Sequence, residues 1–207
     1  MFVQCIAVEV ERVSRMERRS ERAAETKERI ERAALKHFVE KGIAETSIRD
    51  IADEAGLSLG AMYNHFPSKE ELAWQTFIDG WNDIGQELRR RAMGESKLPA
   101  KIRSMIEYIF RRFDEDWLLV TYVFRARHQH MDRVPSSRGN PYTIFRLVIG
   151  EAMRRGEIPH GDLELKTALV VGAVVMAIDS RILERLKGPL SHSAATAADL
   201  CVRMLGE

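Results

Sequence analysis

Cysteine, proline and glycine are scarce in this chain: 207 residues hold 2, 6 and 13 of them. The two thiols, Cys5 and Cys201, stand near opposite ends. They offer neither a disulfide framework nor a close-spaced metal pattern, and they fit a reducing compartment. So few turn formers, in a chain rich in Ala, Leu, Glu and Arg, favour an all-α fold. No apolar run approaches the length that spans a bilayer. The opening MFVQCIAVEV lacks a basic leader and runs into Glu9, Glu11 and Arg12, too short a stretch for a signal peptide. A cytoplasmic protein with no membrane partner is expected. An excess of one charge is missing too. The formal net charge is +1, and residues 1–66 hold 11 Lys and Arg against 12 Asp and Glu, so charge argues for no polyanion. Catalytic signatures are absent: there is no Gly-rich phosphate loop, nucleophile elbow, zinc-protease helix or credible triad. The chain is expected to be no enzyme, with no catalytic residue and no cofactor. His128 and His130 are two apart, which places them on different sides of a helix, so no metal is expected either.

What the sequence does carry is helical periodicity. Over Ala24–Glu40, residues Ile30, Ala33, Ala34, Phe38 and Val39 share one face, and Gly42 supplies a stop. Thr46 reads as the N-cap of a short helix with Ile48, Ile51, Ala52 and Ala55 on its inner side, ended by Gly56. Ser58 caps a second short helix through His65, with Met62 and Phe66 inward, and Pro67 breaks it. Ser68-Lys69-Glu70-Glu71 is a capping box for a long helix to Met93-Gly94, whose buried stripe is Leu72, Phe77, Trp81, Ile84 and Leu88.

Further on, Pro99 suits a first turn, and Ile102, Met105, Ile106, Ile109, Phe110 and Phe113 make an amphipathic stripe. Trp117–Phe124 is apolar all round, as in a helix start buried on every side. Val134–Pro141 is a loop. Asn140-Pro141 opens a helix to Arg155, Asp162 one to Lys187, and Ser191 the last, to Leu205. The total is about nine helices, with no strand-like alternation. Leu165, Ala168, Leu169, Gly172, Val175 and Met176 form one apolar face rich in small residues, and Ala195, Ala198, Val202 and Leu205 form another. Together these faces predict a homodimer.

The informative stretch is TSIRDIADEAGLSLGAMYNHFPSK, Thr46 to Lys69. It predicts two short helices around a tight turn at Ala55-Gly56-Leu57-Ser58, the spacing of a helix-turn-helix. The free face of the second helix is Leu59, Gly60, Ala61, Tyr63 and Asn64, where small residues permit close approach of its backbone to a groove. The run from Thr26 to Leu72 resembles the DNA-binding domain of the TetR family along its whole length. The likeness rests on Ala33, Ala34 and Phe38, on Gly42, on Thr46–Ala52, on Ala55–Ser58, on Tyr63–Phe66 and on Ser68–Leu72.

The resemblance implies three parts. Residues 1–23 are an N-terminal arm, with disorder left open and Met16 a second possible start. Residues 24–70 are the DNA-binding domain, and residues 71–207 are a helical ligand-binding and dimerisation domain. It further implies operator DNA as partner, with Leu59, Gly60, Ala61, Tyr63 and Asn64 of the recognition helix facing bases or sugars. Arg49 would reach a base edge. Thr46, Ser47, Ser58, His65 and Lys69 complete the interface, Lys69 lying in a helix first turn that favours an anion. The family places an inducer among the later helices, which implicates Phe77, Trp81, Phe110, Phe113 and Trp117 and an apolar or aromatic small molecule. Through the resemblance the dimer would be a four-helix contact. A repressor released from a palindromic operator by its ligand is the function expected. A motif-less helical enzyme and a helical adaptor are the other readings, and a sequence-specific operator separates them from the first.

Overall fold

The computed structural model describes residues 2–134 and 140–206, with side chains from Met16 onward. The side chains of the first fifteen residues, Cys5 included, and the centre of the loop expected over Val134–Pro141 lie outside the described residues. The described chain forms nine α-helices, two short 3-10 turns and no strand. Among the described residues no helix is long and apolar enough to cross a membrane. The fold divides into two compact units, Met1–Trp74 and Gln75–Glu207.

The first unit holds α1 (Phe2–Glu45), α2 (Ile48–Ala55), α3 (Leu59–His65) and the start of α4 (Lys69–Gly94). The sequence reading opens the first helix at Ala24, whereas the backbone is helical back to Phe2. Ile30, Ala34 and Phe38 of α1 are buried with Ile51, Ala52 and Ala55 of α2 and with Met62 and Phe66 around α3. Burying each large apolar side chain contributes about 1.5–3 kcal/mol, so these few residues fix the three helices. Gly42 departs from helical geometry at φ 83°, ψ 161°, a region open to glycine, and interrupts α1 before its end. One cap differs from expectation. Ser47, not Thr46, caps α2, accepting from the Asp50 amide at 3.1 Å. Thr46 turns inward, only 2% exposed, and its hydroxyl donates to the Gly42 carbonyl at 2.8 Å.

The second unit is built around α5 (Leu98–Glu115). Leu98, Ile102, Met105, Ile106, Ile109, Phe110 and Phe113 are all buried, so the helix is enclosed by its neighbours. Those neighbours are α6 (Trp117–His130), α7 (Pro141–Arg154), α8 (Leu163–Ile182) and α9 (Ala194–Met204), with α9 packed most extensively on α5. Acidic side chains hold both ends of this arrangement. Glu157 accepts from the Leu98 amide at 2.8 Å, capping α5 from the α7–α8 connection. Asp114, near the other end, accepts from the amides of Leu190 and Ser191 at 2.8 and 2.9 Å and so starts the turn into α9. Helix α4 approaches α6 at Gly80, where an added Cβ would stand 2.9 Å from methyls of Leu119 and Val123. Near the end of α4, Arg90 and Arg91 clamp Glu87 and depress its pKa to about 2, the Arg90 hydrogen bond acting against partial burial.

Two expectations for this unit need correction. Trp117 is 48% exposed rather than enclosed, because the α6 core begins at Val120. Helix α8 stops at Ile182 instead of Lys187: Glu184 adopts φ 55°, and the Arg185 amide returns to the Ser180 carbonyl at 2.8 Å, closing the last turn early.

Burial raises the Asp114 pKa, but the hydrogen bonds from Ser191 and Leu190 outweigh it and hold the carboxyl below the ordinary range. A depressed folded-state pKa stabilises the fold above the unfolded value of about 3.9, and the contribution is lost as pH falls through the folded value. Asp114→Ala should therefore cost about 1–2 kcal/mol in urea unfolding at pH 7. The gap to the parent should narrow in the same measurement at about pH 3.

Candidate nucleic-acid interface and cavity

Helices α2 and α3 are joined by Gly56, Leu57 and Ser58. Gly56 takes the left-handed conformation at φ 65°, and the Arg29 guanidinium of α1 donates to the Ala55 carbonyl beside it. A Cβ on Gly56 would meet that guanidinium at 3.2 Å, so the turn is tight for two reasons. Lysines of α1 meet carboxylates of α2: Lys36 pairs with Glu54 at 2.8 Å and Lys41 with Asp50 at 3.5 Å. The Lys36 hydrogen bond lowers the Glu54 pKa, and the Ser47 hydrogen bond lowers that of Asp50. Asp50 is thereby turned towards α1. Arg49 is exposed, and among the described residues no carboxylate pairs with it.

Ser58 caps α3, its Oγ accepting from the Ala61 amide at 3.2 Å. With Met62 and Phe66 buried, the opposite side of α3 turns outward. Tyr63 is 52% exposed, Gly60 and Asn64 are exposed, and Leu59, Ala61 and His65 are half-buried. Around Gly60 the nearest atom to an added Cβ is Ser58 Oγ at 4.0 Å, so nothing within the unit requires glycine there. Arg49, Ser47, Gly60, Tyr63 and Asn64 are therefore free to meet another surface. Two residues expected at that surface are engaged elsewhere. Thr46 is buried, as described above. Lys69 directs its ammonium to the carbonyls of Ala44 and Thr46, at 3.2 and 2.8 Å, locking the end of α1 to the start of α4.

In the second unit, residues of α4 to α8 line a cavity of about 200 Å³ that is open at His128 and Met131. Trp81, Ile109, Phe124 and Phe145 form its apolar walls with Val171, Val174 and Val175 of α8. Arg127, His128, Met131, Pro141 and Tyr142 complete the lining. Trp81 stacks on Phe77 at 5.4 Å between ring centroids, and its buried Nε1 has no hydrogen-bond partner among the described residues. Of the aromatic residues singled out from the sequence, Trp81 lines this cavity. Phe77 and Phe110 are fully buried packing residues, while Phe113 and Trp117 border a separate depression with Asp114 and Arg181. Phe124 and Phe145 were missed because aromatic identity alone does not say which side of a packed helix meets a void. The signal available was the spacing of Phe124 and Arg127, three apart on one face of α6.

The exposed faces of α8 and α9 also differ in part from expectation. Leu165, Ala168, Leu169, Gly172 and Met176 point outward, and Gly172 has open space around it. Val175 leans towards the cavity. On α9, Ala195 is exposed and Val202 half-buried, but Ala198 and Leu205 are inside, each 1% exposed. Leu200 and Met204, 53% and 47% exposed, stand outside in their place.

Residues 30–74 match the family profile described as "Bacterial regulatory proteins, tetR family". The probable HTH-type transcriptional regulator ArpR of Pseudomonas putida is 28% identical over 164 residues, covering 74% of this chain and 77% of that protein. The HTH-type transcriptional repressor KstR2 of Mycobacterium tuberculosis is 54% identical over 35 residues, 17% of this chain and 18% of its own. The fold matches that of the transcriptional regulator FadR from Bacillus subtilis in complex with stearoyl-CoA. The TM-score is 0.68 at 19% identity, with 84% of this chain and 96% of that one covered. The profile falls on the residues that form the capped α2–turn–α3 geometry, so residues 30–74 carry the DNA-binding domain of the tetR family, and the chain as a whole is similar to transcriptional regulators of that family.

Proposed function

We propose that this regulator is a repressor that holds a palindromic operator as a homodimer and releases it when a small molecule fills the cavity. The observation that carries the reading is the presence in one chain of an outward-facing α3 in the first unit and a largely apolar cavity in the second. On the operator, Arg49 reads a base edge, and a guanidinium suits guanine O6 and N7. Tyr63, Ser47 and His65 reach sugar and phosphate, and Gly60 and Ala61 bring the helix backbone close to the groove. Leu59, Gly60 and Ala61 carry no hydrogen-bonding side chain, so part of the selectivity comes from DNA shape. The repressor role is favoured by the local match to KstR2, a protein named as a repressor.

The homodimer pairs the outward faces of α8 and α9, where Leu165, Leu169, Met176, Leu200 and Met204 leave apolar surface uncovered in the single chain. Two-fold pairing explains why the operator is palindromic. The coupler is α4, one continuous helix with Lys69 at its start in the first unit and Trp81 further along in the second. A ligand that favours one position of Trp81 favours one position of that helix, and it acts only through its differential affinity for the two states. Stearoyl-CoA, bound to the Bacillus subtilis neighbour, greatly exceeds a cavity of about 200 Å³, so a smaller effector is indicated.

Selection from random duplexes should yield one palindromic site, and failure to enrich any sequence would overturn the regulator reading. On that site Arg49→Ala should weaken binding by about 1–3 kcal/mol and relax selectivity at one position per half-site. Gly60→Leu should leave the melting temperature of the free protein unchanged or slightly higher, since a helical glycine costs about 0.5–1 kcal/mol, yet abolish specific binding in a gel-shift assay. Lys69→Ala should lower stability before DNA is added, by about 1–2 kcal/mol for the two carbonyls left without a donor. Gly172→Trp should preserve helicity and melting while sedimentation shifts from dimer to monomer. A parent protein that sediments as a monomer at micromolar concentration would remove the dimer and the palindrome together.

A further inference from the structure

The cavity lining narrows the chemistry of the effector, an inference that rests on reading the cavity as the effector site. Size comes first. An enclosed apolar cavity of about 150 Å³ takes benzene, so about 200 Å³ accommodates a single substituted ring. The walls suit a flat molecule, with Trp81, Phe124 and Phe145 contributing ring surface. Charge comes second. Among the described residues the lining contains Arg127 and His128 and no Asp or Glu. Arg127 is half-buried, and the hydrogen bond it makes goes to the Phe124 carbonyl of its own helix. Among the described residues no carboxylate pairs with it. Its neighbour Arg125 is exposed and does not line the cavity, so Arg127 is the arginine of α6 that borders it. A partly desolvated cation without an anionic partner is costly, and a ligand that brings the anion removes that cost.

We propose that the cavity takes a single-ring aromatic carboxylate, with the ring among Trp81, Phe124 and Phe145 and the carboxylate held by the Arg127 guanidinium. A planar fork of N–H donors matches a carboxylate in two-point contact, which an ammonium cannot reproduce.

Calorimetric titration of the full-length protein with benzoate, 4-ethylbenzoate and 4-hydroxybenzoate, each against its primary amide, tests this assignment. The carboxylates should bind about ten- to a hundredfold tighter than the amides. Arg127→Gln should keep the parent's melting temperature and bind the amides as the parent does, with the preference for carboxylates gone. Arg127→Lys should recover part of it, and serves in place of the glutamine variant if that one fails to fold. Amides binding as tightly as carboxylates, or a preference that survives in the variants, would overturn the carboxylate assignment while leaving the cavity as an effector site. If neither series binds below about 1 mM, the single-ring assignment falls. Release of the selected operator by some larger compound would then show that the effector reading outlives it.

Discussion

The second unit depends on the enclosure of α5. Once Ile102, Met105, Ile106, Ile109 and Phe110 are all buried, every neighbouring helix must offer α5 an apolar side, and its remaining surface is what function has to use. Helix α9 gives Ala194, Ala198 and Cys201 to the interior, followed by Leu205, so its large apolar residues facing outward are Leu200 and Met204. Helix α8 gives Val170, Val174 and Ile178, and its outward apolar residues are small, as Ala168 and Gly172, or long, as Leu165, Leu169 and Met176. The caps at the two ends of this assembly, Glu157 on α5 and Asp114 on the turn into α9, satisfy backbone amides that would otherwise be stranded at buried helix starts.

The first unit solves a different problem, that of approaching a polyanion without net positive charge. Arg29, Lys36, Lys41 and Lys69 are all engaged within it, on helix-end carbonyls or on carboxylates of α2. These contacts fix the angle between α1 and α2 and leave Arg49 as an outward cation of α2. Surface ion pairs of this kind each contribute little, about 0.2–1 kcal/mol. Their joint effect is to turn Asp50 and Glu54 of α2 towards α1. The outward surface therefore differs in character from the unit's overall balance of charge.

Much of this was legible in the sequence because it is local. Ser58, Asn140 and Asp162 act as helix caps where their positions before apolar runs say they should, and the two short helices around Gly56 follow from spacing alone. What was not legible depends on contacts distant in the chain. Thr46 and Ser47 are both competent caps, and packing turns one inward and leaves the other to cap α2. Helix α9 is apolar on two sides, and its packing on α5 decides which of them is buried. The cavity was visible in kind but not in membership. Phe110 and Phe124 are equally aromatic, and only the fold puts one in solid packing and the other beside a void.

One helix carries two of these surfaces at once. Val171, Val174 and Val175 of α8 line the cavity, while Leu165, Leu169, Gly172 and Met176 cover its outer side. In a dimer formed through that outer side, occupancy of the cavity and association of the chains share a mechanical element and are thermodynamically linked. A molecule that shifts α8 by a fraction of an ångström alters the pairing constant, and reciprocity requires pairing to alter the affinity for that molecule by the same factor. Apparent sensitivity to the effector then becomes a function of how much of the regulator the cell contains.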